Sequence, residues 1–147
     1  MERWKNGEME NWKWKNGILL DKYIKMEKKY DIYKESKVYG FMVVESYQYI
    51  TKVSKEYILS KQFLRSWTSI WANIMEAQEW QSKKDFLHKM SIALKEARES
   101  KYWIDLLECG WYLIWYQKYV VLVEKTKEMI WILTKIVKTT KLHLHNQ

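Results

Sequence analysis

Proline is absent from this chain of 147 residues, and glycine occurs only four times. Average usage would give roughly 7 prolines and 10 glycines. Both residues punctuate loops, so their scarcity points to long uninterrupted elements and away from a loop-rich all-β fold. The single cysteine, Cys109, excludes an intramolecular disulfide and suits a reducing compartment. Long apolar runs are missing too. The longest charge-free stretch, residues 66–75, is about half of what a membrane-spanning helix needs. The first sixteen residues carry charges throughout and lack the apolar core of a signal peptide, so a soluble, cytoplasmic protein is expected, with no membrane partner.

What is present is a well-mixed apolar and charged chain. Hydrophobic residues make up 48% and charged residues 30%, which excludes a disordered polymer, and the length fits one domain. The net charge is +8 and the isoelectric point about 9.4, which favours anionic partners without specifying a fold. The aromatic balance is unusual: ten Trp against three Phe.

Residues 1–35 show no sustained period and read as an N-terminal extension. From Ser36 a helical period takes over. Val43, Tyr47 and Ile50 lie on one helix face, with Phe41 and Val44 beside them. A second helix is expected near Ser60, whose hydroxyl suits a cap. Leu59, Phe63, Ser66, Ile70, Asn73 and Ala77 form its inward stripe, and Leu64, Trp67, Trp71 and Ile74 a second one. The third helix has the best start signal, Ser82-Lys-Lys-Asp85, a capping box with Asp in place of Glu. Phe86, Met90, Ala93, Ala97, Ile104 and Leu107 continue it, and Gly110 is the expected stop. The fourth runs from about Tyr116 to Thr140. One of its stripes holds Tyr116, Val120, Val123, Ile130 and Val137, the other Tyr119, Leu122, Met129, Leu133 and Ile136. The expectation is therefore an all-α protein, an antiparallel up-down-up-down four-helix bundle over residues 36–141, with 142–147 as a frayed tail. Doubled apolar stripes on the second and fourth helices exceed what one bundle core needs, and the surplus points to a subunit interface.

Catalytic and metal chemistry find little support. No Gly-rich phosphate loop, GxSxG or HExxH motif occurs. His143 and His145 lack the further ligands zinc normally takes, so no metal and no cofactor is expected. Cys109 has no His near it in sequence and reads as a small structural thiol. Glu96 and Glu99 share a helix face, yet nothing separates them from solvated charges. No enzyme is expected. Asn73, on the inward stripe, is a candidate for fixing register or a subunit contact, because a buried amide must be hydrogen-bonded. The basic residues carry the best functional signal. The last 37 residues hold six Lys against two Glu. At about 100° per residue, Lys127, Lys138 and Lys141 fall within roughly 60° of one another. Lys61, Arg65, Lys83 and Lys84 add charge near the starts of the second and third helices. These seven are the candidate nucleic-acid-binding residues, acting on phosphates without reading sequence.

The runs Leu59-Ser-Lys-Gln-Phe-Leu-Arg-Ser-Trp-Thr-Ser-Ile-Trp-Ala-Asn-Ile-Met-Glu-Ala-Gln78 and Ser82-Lys-Lys-Asp-Phe-Leu-His-Lys-Met-Ser-Ile-Ala-Leu-Lys-Glu-Ala-Arg-Glu-Ser-Lys-Tyr-Trp-Ile-Asp-Leu-Leu107 closely resemble the four-helix-bundle family of 23S rRNA intervening-sequence proteins. The resemblance implies homopentameric rings. It also implies kinship with accessory proteins of diversity-generating retroelements, in which a basic pentamer accompanies nucleic acid and a reverse transcriptase. It carries no catalytic residues. On this basis the expected role is a non-enzymatic homopentamer that binds RNA or DNA backbones, with exposed aromatics stacking on single-stranded bases. The competing role is a protein-interaction scaffold, for instance for a reverse transcriptase, without nucleic-acid contact.

The sequence departs from that family where small residues, mostly glycine, are usual: at Trp67, Trp71 and Trp80. Trp111 and Trp131 also stand where a small residue looks natural. Two indoles on a face of close helix approach should overpack it, at about 1–3 kcal/mol each. Two readings stand side by side. Either the tryptophans fill a wider bundle, or some are UGA codons that the source organism reads as glycine.

Overall fold

The computed structural model describes residues 32–145. Four helices form in chain order: α1 (Ile32–Tyr49), α2 (Leu59–Glu76), α3 (Lys83–Cys109) and α4 (Tyr119–His145). Each packs along its chain neighbours, and α4 closes the ring against α1, giving the antiparallel up-down-up-down bundle. The turns between α1 and α2 and between α3 and α4 therefore share one end, the turn end. The α2–α3 connection and the last residues of α4 share the other.

Helix α1 begins at Ile32, four residues before the period becomes visible in the sequence. Its inward line is Ile32, Ser36, Tyr39, Val43, Ser46 and Ile50, in spacings of four and three. Two serines hide that line from a search for apolar periodicity. Their hydroxyls donate to the carbonyls of Tyr33 and Val43, both at 2.8 Å, so the serines enter the core already satisfied. Phe41 and Val44, expected beside the core, are exposed, and Tyr47 is half-buried. The helix widens to a π-helical turn over Ile50–Ser54 and ends at Lys55, whose φ of 54° is left-handed and whose N–H returns to the Ile50 carbonyl.

Helix α3 follows its sequence signals closely. Asp85 N–H donates to Ser82 Oγ at 3.1 Å, the expected cap. All six of its expected core residues are buried. On α4 the stripe through Leu122, Met129, Leu133 and Ile136 faces the core, while Val120 on the other stripe is 67% exposed. The helix continues to His145, and His143 Nε2 accepts from Lys83 Nζ of α3 at 2.7 Å.

A polar layer crosses the middle of the bundle. Ser66 of α2 and Ser100 of α3 share a hydrogen bond of 2.7 Å, and Thr126 Oγ1 of α4 lies 3.1 Å from the hydroxyl of fully buried Tyr39 on α1. Ser100 also bonds that hydroxyl. Burial pushes the Tyr39 phenol up to about 12, against the pull of those two hydroxyls. Each helix thus contributes one hydroxyl to this layer. A register slip parts Tyr39 and Ser100 from these partners, whereas Ser66 and Thr126 keep bonds to the Phe63 and Leu122 carbonyls of their own helices; each group left unpaired costs roughly 1–3 kcal/mol.

Candidate nucleic-acid interface

The seven basic candidates do not form one patch. Antiparallel order places Lys83 and Lys84, at the start of α3, at the same end as Lys138 and Lys141, near the close of α4. The contact between Lys83 and His143 ties these two helix ends together. Lys84, Lys138 and Lys141 are exposed and make no ion pair among the described residues. The first turn of α3 adds its unsatisfied N–H groups and partial positive charge to the same end. Ser82 and Asp85 already occupy part of that turn.

Lys61 and Arg65 lie on α2 towards the turn end. Arg65 lines an open polar cleft of about 340 Å³ between α2 and α3 with Gln62, Ser66, Ser69, Glu96 and Glu99. Two carboxylates in that lining offset its charge and make it a poor seat for phosphate. Lys127 is paired with Glu124 at 2.8 Å on its own helix. Its angular nearness to Lys138 and Lys141, read correctly from the helical wheel, therefore does not make it an equally available cation.

Asn73 is half-buried, beside the core rather than in it. Its amide donates to the Ser69 carbonyl one turn back at 2.8 Å. The register contacts between helices lie instead in the hydroxyl layer, whose residues sequence reasoning missed because Ser and Thr in helices normally face water. The only forewarning was Ser66 on the inward stripe of α2.

Trp67 and Trp71 do not overpack the bundle. Both are half-buried on the flank where α1 meets α2. Trp67 lies flat on Gly40, where an added Cβ would come within 1.9 Å of its Cζ2, and its Nε1 donates to the Ser36 carbonyl at 3.3 Å. Gly40 is what admits the indole. Trp71 meets Tyr33 with ring centroids 5.0 Å apart and planes tilted by 38°. Lys37, Gly40, Phe41, Val44, Trp67 and Trp71 enclose a shallow apolar groove of about 330 Å³. Phe41 on its rim is 67% exposed.

A second apolar region caps the turn end, where Val53, Ile58, Ile114 and Trp115 are all more than half exposed. Beside it, Tyr116 is buried with no partner for its hydroxyl among the described residues, and burial together with the nearby Glu45 carboxylate pushes its phenol up to about 12.

Neither cleft assembles a catalytic constellation, and no group of three or more metal-ligating side chains occurs among the described residues. No helix among them is long and apolar enough to cross a membrane. A family model for the 23S rRNA-intervening sequence protein matches residues 28–135. The chain belongs to this family. A member of the S23 ribosomal protein family from Bacteroides thetaiotaomicron VPI-5482, a protein with unknown function whose crystal structure was determined at 1.70 Å, is 39% identical. It superposes with a TM-score of 0.70 over 76% of this chain and 98% of its own. No curated protein matches the chain. The match to the 23S rRNA-intervening sequence proteins begins four residues before α1 and stops within α4, so it takes in the first three helices and most of the fourth.

Proposed function

We propose that this protein is a non-enzymatic homo-oligomer, a pentamer by the family resemblance, that holds RNA or DNA by its phosphate backbone. The observation that carries the reading is the end of the bundle where Lys84, Lys138 and Lys141 stand exposed beside Lys83, without an ion pair among the described residues. Lysines so placed neutralise phosphates and release counterions without reading bases. Self-association multiplies the effect: five copies carry about +40 and give a strong field for an anionic polymer. The exposed apolar groove between α1 and α2 supports association, since monomers seldom leave such a flank uncovered.

The test is binding of labelled single-stranded RNA across a salt series. Affinity should fall steeply as salt rises. A Lys84→Ala/Lys138→Ala/Lys141→Ala variant should flatten the slope by about 2–3 per bound copy, at roughly 0.7–0.9 for each phosphate no longer neutralised. A variant with the wild-type slope refutes the assignment to this end of the bundle.

The apolar turn end favours a second reading, a scaffold that binds another protein, such as a reverse transcriptase, with no nucleic-acid contact. No detectable RNA binding at low salt would decide for it.

A further inference from the structure

The strongest anomaly in the molecule is the backbone at residue 111. Helix α3 ends in a Schellman motif. Tyr112 N–H bonds the Leu107 carbonyl at 3.0 Å, and Trp111 N–H bonds the Glu108 carbonyl at 2.9 Å. In that pattern the residue following the cap is left-handed and is usually glycine, because a Cβ there crowds the backbone. The cap itself, Gly110, has an ordinary φ of −80°, so the expected stop residue is one position early. The left-handed position, with φ of 63°, belongs to Trp111. A bulky aromatic there is a genuine outlier.

Such strain persists where a side chain's contacts repay it. Those of Trp111 do not: the residue is 71% exposed, and among the described residues its indole makes no hydrogen bond and no ring contact. Trp115 is as exposed, at 78%, but four other tryptophans are anchored. Trp67 bonds Ser36, Trp71 meets the Tyr33 ring, Trp103 Nε1 reaches Glu99 Oε1 at 3.2 Å, and Trp80 meets the Phe86 ring edge-on. Lys55 is also left-handed, so this conformation does not by itself exclude a side chain; at Trp111 it coincides with a Schellman bond pair and an indole that makes no hydrogen bond or ring contact among the described residues to offset it. The composition agrees with the geometry, with ten Trp written against four Gly. One codon links the two residues: UGA, whose reassignments among organisms include both tryptophan and glycine.

We propose that residue 111 is glycine in the protein as its source organism makes it, its codon being UGA, and that the surface it exposes is bare backbone rather than an indole. Positions 67, 71 and 80 suggest such recoding by their residue type alone; at position 111 the left-handed backbone adds a conformational reason for glycine.

Mass spectrometry of protein from its own source tests this directly. Trypsin releases residues 102–118 as one peptide, which contains both Trp103 and position 111. The expected result is Trp at 103 and Gly at 111; Trp at both overturns the proposal, as does a UGG codon at 111 in the gene. A recombinant comparison tests the physical premise. Trp111→Gly should unfold at a higher temperature than Trp111→Ala, because only glycine relieves a left-handed φ. Equal midpoints would overturn that premise.

Discussion

The two turns that share one end of the bundle close their helices by different means. Between α3 and α4 the backbone does the work, through the Schellman bonds and one left-handed residue. Between α1 and α2 the left-handed Lys55 closes the first helix in the same way, but a side chain caps the second. Glu56, only 8% exposed, accepts three hydrogen bonds from the start of α2: Ile58 and Leu59 N–H to Oε1 at 2.8 and 2.7 Å, and Ser60 N–H to Oε2 at 2.8 Å. Ser60, the cap expected from sequence, lies inside the helix and donates its own hydroxyl to the Glu56 carbonyl at 2.9 Å. A carboxylate is the stronger device, because it brings a full charge to the positive end of the helix. It is also sensitive to pH, whereas the backbone motif is sensitive to which residue stands at one position.

Removing Glu56 should show the largest effect. Glu56→Ala strands three N–H groups and should cost about 2 kcal/mol, at the upper end for a lost cap, read as a lower urea midpoint with unchanged slope. A loss no greater than an ordinary surface substitution would mean that water replaces the carboxylate fully.

The pH profile sharpens the contrast. Burial works to raise the Glu56 pKa, but the hydrogen bonds from Ser60, Leu59 and Ile58 outweigh it, and the net shift is downward. The folded chain therefore holds this proton less readily than the unfolded chain, and acid favours unfolding through this group. Its contribution is complete above the ordinary glutamate range and is lost as pH falls through the lowered folded value. Wild type should lose more stability than Glu56→Gln between neutral pH and that acid range. Parallel curves would refute the charged cap.

A smaller effect is expected where the turns meet. Ser54 Oγ donates to the Tyr112 carbonyl at 2.8 Å and is the hydrogen bond that joins them. Ser54→Ala should cost about 1 kcal/mol and speed amide exchange in both turns together. Faster exchange in one turn alone would show that they open independently.

The architecture was legible because α2 and α3 write their cores in large apolar residues at regular spacing. Phe63, Ile70, Phe86, Met90 and Ile104 all face inward as the period requires. Helix α1 was less legible because two serines interrupt its inner line and Gly40, which admits the Trp67 ring, lies beside it. The Glu56 cap was hidden for another reason. It precedes its helix by a turn, and a glutamate between lysine and tyrosine resembles any solvated charge. The basic end was legible only in part. The wheel grouped Lys127 with Lys138 and Lys141 correctly in angle but could not register that Glu124 already claims it.

The hydroxyl layer at mid-bundle also constrains how copies of this chain can exchange parts. A molecule that lent its α4 to a neighbour would have to offer Thr126 to the neighbour's Tyr39 at the same depth, or leave that phenol with Ser100 alone. Identical chains meet that condition and unrelated bundles do not. A copy of the same chain therefore fits the gap that a departing α4 leaves.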